Sequence, residues 1–352
     1  MASGTRGYSS YRGRGRKGKA FLAIVLILII LASIGFIIAR ENMTYDADGT
    51  LHVQWPWSKG AEAPDRTPEA PEMEIEEPEV SDENTGGVGP MQAVQLGTDP
   101  AQWQVQLDAG DVQAFAVTMK DAGGTLYYPF ENAAAGRKLS PQAEAAQAAL
   151  PGILDGSRYA VARLSCLRDG GVARENLTAM GLENTGGYVF YDGNNENWLD
   201  PSKEAVRSYL SALAVECADL GFDEILLTDL TYPTEGKLDK IAYGADESAG
   251  NPAAYRAEQI AGLLEAVQTA LAGRNVNVSF EVPEAVYENN GVDENAGINL
   301  QSLPDGSISR IYVPTMSEKA ADMAGEESGT LIPELAVLPA DGTLKSYLIL
   351  NS

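Results

Sequence analysis

The sequence predicts an α/β protein built on a (β/α)8 TIM barrel, set behind a single transmembrane helix and a disordered acidic stalk. Three observations carry this prediction. Residues 91–352 form a stretch of 262 residues, close to the ~250 typical of such a barrel. Within it, apolar strand-like runs alternate with helix-like ones, as parallel strands joined by crossovers require. No Gly-rich phosphate loop of the G-x-G-x-x-G or Walker type is present, which turns the choice away from an open nucleotide-binding sheet.

The elements follow in order. Residues 1–20 form a basic tail holding Arg6, Arg12, Arg14, Arg16, Lys17 and Lys19 and no acid. Residues 21–39 run without a charge from Phe21 to Ala39, and about 20 apolar residues span the hydrocarbon core. Ile37-Ile38-Ala39 is followed by Arg40, a poor cleavage site, so the run reads as an uncleaved anchor. Positive charge before the span places the N-terminus in the cytoplasm and the C-terminal domain outside the cell membrane.

Residues 40–90 read as an extracytoplasmic stalk. Leu51, Val53, Trp55 and Trp57 alternate, which suits a short hairpin or aromatics at the membrane interface. Glu62 to Asn84 then carries ten acidic residues, one Arg and four prolines, too little apolar surface to offset its ordering entropy. Thr85-Gly86-Gly87-Val88-Gly89-Pro90 marks the boundary of the barrel domain, 91–352.

In that domain the expected strands are Gln92–Leu96, Val112–Met119, Tyr159–Leu167, Glu224–Leu230, Val276–Val282 and Ile308–Val313, with weaker runs at Leu331–Leu338 and Ser346–Leu350. Helices are expected over Pro141–Leu150, Pro201–Leu220 and Pro252–Ala272. In the second of these, Asp200 suits the N-cap, Pro201 the first position and Gly221 the end. Its Val206, Tyr209, Leu210, Leu213, Cys217 and Leu220 share one face. Cys166 and Cys217 fall at opposite ends of such a barrel, beyond the ~7 Å a disulfide allows, and are expected as two buried thiols.

Composition narrows the chemistry. A single His52 excludes His-rich metal sites and argues against a Ser-His-Asp triad, and two cysteines exclude a disulfide scaffold or zinc ribbon. No cofactor or metal is expected. After residue 39 the chain holds 19 basic and 50 acidic residues, a balance that repels nucleic acid. Carboxylate chemistry, binding or a structural role remain.

Barrel enzymes work at the C-terminal ends of their strands. Alternation in Val276–Val282 turns Asn277, Ser279 and Glu281 inward with Glu281 at the mouth, where a carboxylate is either functional or salt-bridged. Leu226 and Thr228 share the inner parity of their strand, which leaves Asp229 on the rim. Arg163 shares parity with Ser165, and Lys120 with Thr118; both cations suit charge balancing or a site. Trp198, before the second helix, either stacks on a sugar ring or staples its loop.

These residues carry a resemblance. Ala162-Arg163-Leu164-Ser165-Cys166-Leu167-Arg168-Asp169, Trp198-Leu199-Asp200-Pro201 and, above all, the ungapped Gly221–Pro233 run are similar to motifs of the putative glycosyl hydrolase domain family, a TIM-barrel family related to glycosidases and amylase-like enzymes. Ala116–Gly124 resembles a further motif. The resemblance implies hydrolysis of a glycan or polysaccharide, with Glu281 and Asp229 as the carboxylate pair and Lys120, Arg163, Trp198, Tyr232 and Tyr312 binding substrate. Against the family pattern, the strand-end acid is Thr228 here, an Arg is Thr231 and another Asp is Thr118. The barrel is therefore expected to be degenerate in its acids. Hydrolysis, carbohydrate binding without turnover, and an envelope spacer are the three functions this pattern admits.

Overall fold

The computed structural model describes residues 89–350 except 110–111, 244–251, 305, 316–329 and 338–343, together with two short strands nearer the N-terminus. The chain divides into two units, Met1–Glu79 and Val80–Ser352. In the first, Met43–Tyr45 pairs antiparallel with Leu51–Val53. The apolar run 21–39 and the acidic run 62–84 lie outside the described residues. Among the described residues no helix is long and apolar enough to cross a membrane.

In the second unit eight strands close a barrel. They are β1 (Gln92–Gln95), β2 (Ala114–Lys120), β3 (Tyr159–Ser165), β4 (Glu224–Thr228), β5 (Asn277–Glu281), β6 (Ile311–Pro314), β7 (Leu331–Leu335) and β8 (Tyr347–Ile349). Each pairs parallel with the next, and β8 returns to β1. Every expected strand is present, the two weak ones included; β2 and β6 start later than expected and end one residue further on, at Lys120 and Pro314, and the others are shorter than their runs.

Helices coat the barrel between the first strands: α1 (Trp103–Asp108), α2 (Ala143–Ile153), α3 (Gly170–Glu175), α4 (Glu204–Leu220), α5 (Pro252–Leu271) and the short α6 (Glu284–Glu288). Helix α4 begins later than expected. Asp200 does not cap it; its Oδ1 accepts from the Ser202 N–H (2.9 Å) and hydroxyl (2.6 Å), closing a side-chain turn that holds 200–203 out of the helix. Gly221 ends α4 at φ 104°, a conformation open to glycine.

Alternation sorts the strand residues as expected. Phe115, Val117, Ala162, Leu164, Ile225, Leu227, Val278 and Phe280 pack outward against the helices. Ala93, Ala114, Ala116, Val161, Leu226, Ile332 and Leu348 fill the interior. Cys166 and Cys217 are both buried and free.

The N-terminal end of the barrel is closed by a polar floor. Glu224, fully buried, accepts from Tyr312 (2.7 Å) and Tyr159 (2.8 Å) and pairs with Arg310. Asn277 donates to the Tyr159 hydroxyl (2.8 Å). Such a buried charge is tolerable only with this full set of partners. The incoming chain is tied to the same end: Arg310 donates to the Gly89 carbonyl (3.1 Å), and Met91 N–H to Ser346 Oγ (3.1 Å).

Candidate active site

At the opposite end the strands deliver a cluster of carboxylates. Glu281 ends β5 and faces inward, as its alternation with Asn277 and Ser279 requires. It pairs with Arg163 of β3, whose other terminal nitrogen lies 2.6 Å from Glu334 of β7. Arg163 is thus the ion partner of an interior acid rather than a free cation at the mouth, and its charge is divided between two carboxylates.

Asp229 arrives by a different route. Strict alternation leaves it on the rim, but its backbone is left-handed (φ 49°), and this resets the direction of the side chain after Thr228. Its Oδ2 accepts from Ser165 Oγ (2.7 Å), an inner residue of β3, and its Oδ1 lies 3.4 Å from Arg168. Arg168 in turn grips Glu196 and lies over the Trp198 ring. Thr228, in the position of the family acid, is buried and offers its hydroxyl to Asp229 at 3.5 Å.

The electrostatics separate Glu281 from an ordinary acid. Burial pushes its pKa up to about 8; the negative charges of Glu334 and Asp229 add to this, and Arg163 opposes them. Burial and these two neighbouring acids thus favour the protonated form of Glu281. Glu334 itself is 2 % exposed, and its Oε2 has no donor in the fixed structure. Nearby, burial raises the Cys166 thiol to about 12, so it is inert as a nucleophile.

The other expected binding residues sit elsewhere. A bulge between Thr118 and Lys120 breaks the β2 alternation and sets Lys120 opposite Leu164, on the outer side. Lys120 is fully buried there, donating to the Ser165 carbonyl (2.8 Å) and pairing with Asp169 (3.3 Å). It shapes the turn after β3 instead of meeting substrate.

Tyr312 stands in register with Glu281 on β6 but turns its hydroxyl down to Glu224 of the floor. Tyr232 is 1 % exposed and packs edge-on against Tyr243. Trp198 is 7 % exposed and donates its indole N–H to Asp192 Oδ2 (2.9 Å), which is the stapling arrangement. None of the three rings offers a free face for a sugar, because each is consumed by packing.

Glu334, Arg168 and Glu196 join the site without having been expected. Glu334 had a signal: in Leu331–Leu335 it shares the parity of the interior Ile332. Pro333 beside it makes the run read as an edge strand, which masks that signal. Arg168 and Glu196 lie on loops, where no periodicity points.

No curated protein matches the chain. Solved structures similar to it include the PgaB (BpsB) glycoside hydrolase domain from Bordetella bronchiseptica, 13 % identical, covering 75 % of this chain and 94 % of that one with a TM-score of 0.49. The glycoside hydrolase domain of PelA from Pseudomonas aeruginosa is 13 % identical over 72 % and 86 % of the two chains, TM-score 0.41. A hypothetical protein from Ruminiclostridium thermocellum ATCC 27405 is 20 % identical over 51 % and 89 %, TM-score 0.39. The family described as putative glycosyl hydrolase domain matches residues 101–308, more than half of the 352. The chain belongs to that family.

Proposed function

We propose that the protein is a membrane-anchored glycoside hydrolase acting on an extracytoplasmic glycan. The observation that carries this reading is the placement of two carboxyl groups, Glu281 held by Arg163 and Asp229 held by Ser165, at the C-terminal mouth of the barrel, with burial raising the pKa of Glu281. Glycoside hydrolysis uses two such groups in different protonation states. Glu281 gives its proton to the glycosidic oxygen, which takes the electron pair of the breaking C–O bond. Asp229, with both oxygens acting as acceptors, serves the anomeric carbon or the water that attacks it. The uncharged run 21–39 behind six basic residues supports the anchor, and the position of the barrel domain after that run supports its extracytoplasmic side.

The test is hydrolysis of a panel of cell-wall and α- or β-linked glycans by the detergent-purified full chain beside Glu281→Gln. Turnover is expected in the first and a loss of at least about a hundredfold in the second. A second reading, a barrel that binds glycan without turnover, draws on Thr228 at the family's acid position; binding without cleavage in the same panel would establish it.

A further inference from the structure

We infer that Glu334 is a positioning residue for Glu281: with Arg163 it forms a charged layer in the barrel mouth that holds one proton and presents it on Glu281. This rests on the glycosidase reading given above. Arg163, Glu281 and Glu334 stand on β3, β5 and β7, the alternate strands that supply one interior layer in a barrel of this type. Each carboxylate takes one terminal nitrogen of the same guanidinium. A single positive charge cannot neutralise two carboxylates, and the Glu334 side chain, 1 % exposed, has no water to solvate a surplus charge. One proton makes the layer neutral, and a proton on Glu281 is a donor that Glu334 Oε2 otherwise lacks.

The geometry also says which acid delivers the proton. The Glu281 side chain is 19 % exposed and that of Glu334 is 1 % exposed, so substrate meets Glu281 and Glu334 stands behind it. When Glu281 protonates the leaving oxygen, the layer is left with one net negative charge. That charge draws a proton back to Glu281 once water has added to the anomeric carbon. Each cycle consumes one water, and the layer regains its proton. The groups facing Glu281 are Arg163 and Cys166 from β3 and the turn after it, Asp229 after β4, Tyr312 in register on β6, and Glu334 on β7. Among these, the negative charge of Glu334 favours the protonated form of Glu281 most strongly.

The variant is Glu334→Gln, which keeps size and an acceptor for Arg163 but removes the charge. Its pH profile of kcat/KM on whichever glycan is cleaved is expected to lose its basic limb at lower pH than the wild type, by about one unit or more. A folded Glu334→Gln whose limb coincides with that of the wild type overturns the inference; so does a uniform drop in rate with no shift. Infrared titration of the full chain decides the matter without any activity. A protonated carboxyl band should persist at neutral pH, vanish in Glu281→Gln and titrate earlier in Glu334→Gln. A wild-type chain with no such band at neutral pH overturns the inference even if Glu334→Gln fails to fold. The band with no cleavage of any glycan keeps the charged layer and removes the glycosidase reading instead.

Discussion

At Asp229 a left-handed backbone (φ 49°) turns a rim position toward Ser165 on the inner side of β3. Asp and Asn enter this region more readily than other side chains, because their short polar groups bond locally. Asp229→Asn should therefore keep the backbone and the contact with Ser165 while removing the carboxylate. We expect a melting temperature within about 2 °C of the wild type and a loss of glycan hydrolysis of about a hundredfold or more, read from thermal unfolding and initial rates on the same preparation. A rate close to that of the wild type would remove Asp229 from the reaction.

Between helix α4 and strand β4, Gly221 makes the turn at φ 104°, and a Cβ placed there meets nothing within 4 Å. The cost of Gly221→Ala is thus backbone strain alone, about 1 kcal/mol, and chemical denaturation should show it with no change in the slope. At this scale the fold was largely legible in the sequence. Val278 and Phe280 alternating with Asn277, Ser279 and Glu281 could be sorted to the two sides of β5 because the pleat has a period of two. The same rule failed where the backbone departs from the pleat. The bulge before Lys120 moved that residue to the outer side, and the left-handed Asp229 moved an acid inward. Both departures are fixed by neighbouring strands, so a local pattern cannot show them. Aromatic residues misled for a related reason: Tyr312 and Trp198 have polar edges that suit a sugar cleft, and the same edges bond Glu224 and Asp192 within the fold.

Across the whole molecule the raised Glu281 couples folding to pH. Its carboxyl ionises near 4.5 when unperturbed and at about 8 in the folded chain, so the fold favours its neutral form. The stability this contributes is complete below about pH 4.5 and is lost progressively as pH rises through about 8. Glu281→Gln, neutral at every pH, should lack this dependence. The difference in melting temperature between variant and wild type is expected to grow in favour of the variant across that window; a constant difference would show that Glu281 ionises alike in both states.

The floor of the barrel has a mechanical consequence. The chain enters β1 at the closed end, where Arg310 holds the Gly89 carbonyl and Ser346 holds Met91. A pull applied through residue 89 runs along β1, so its parallel ladders to β2 and β8 are loaded in shear. Their bonds share the tension instead of peeling one by one, and the Arg310–Glu224 pair takes part of it.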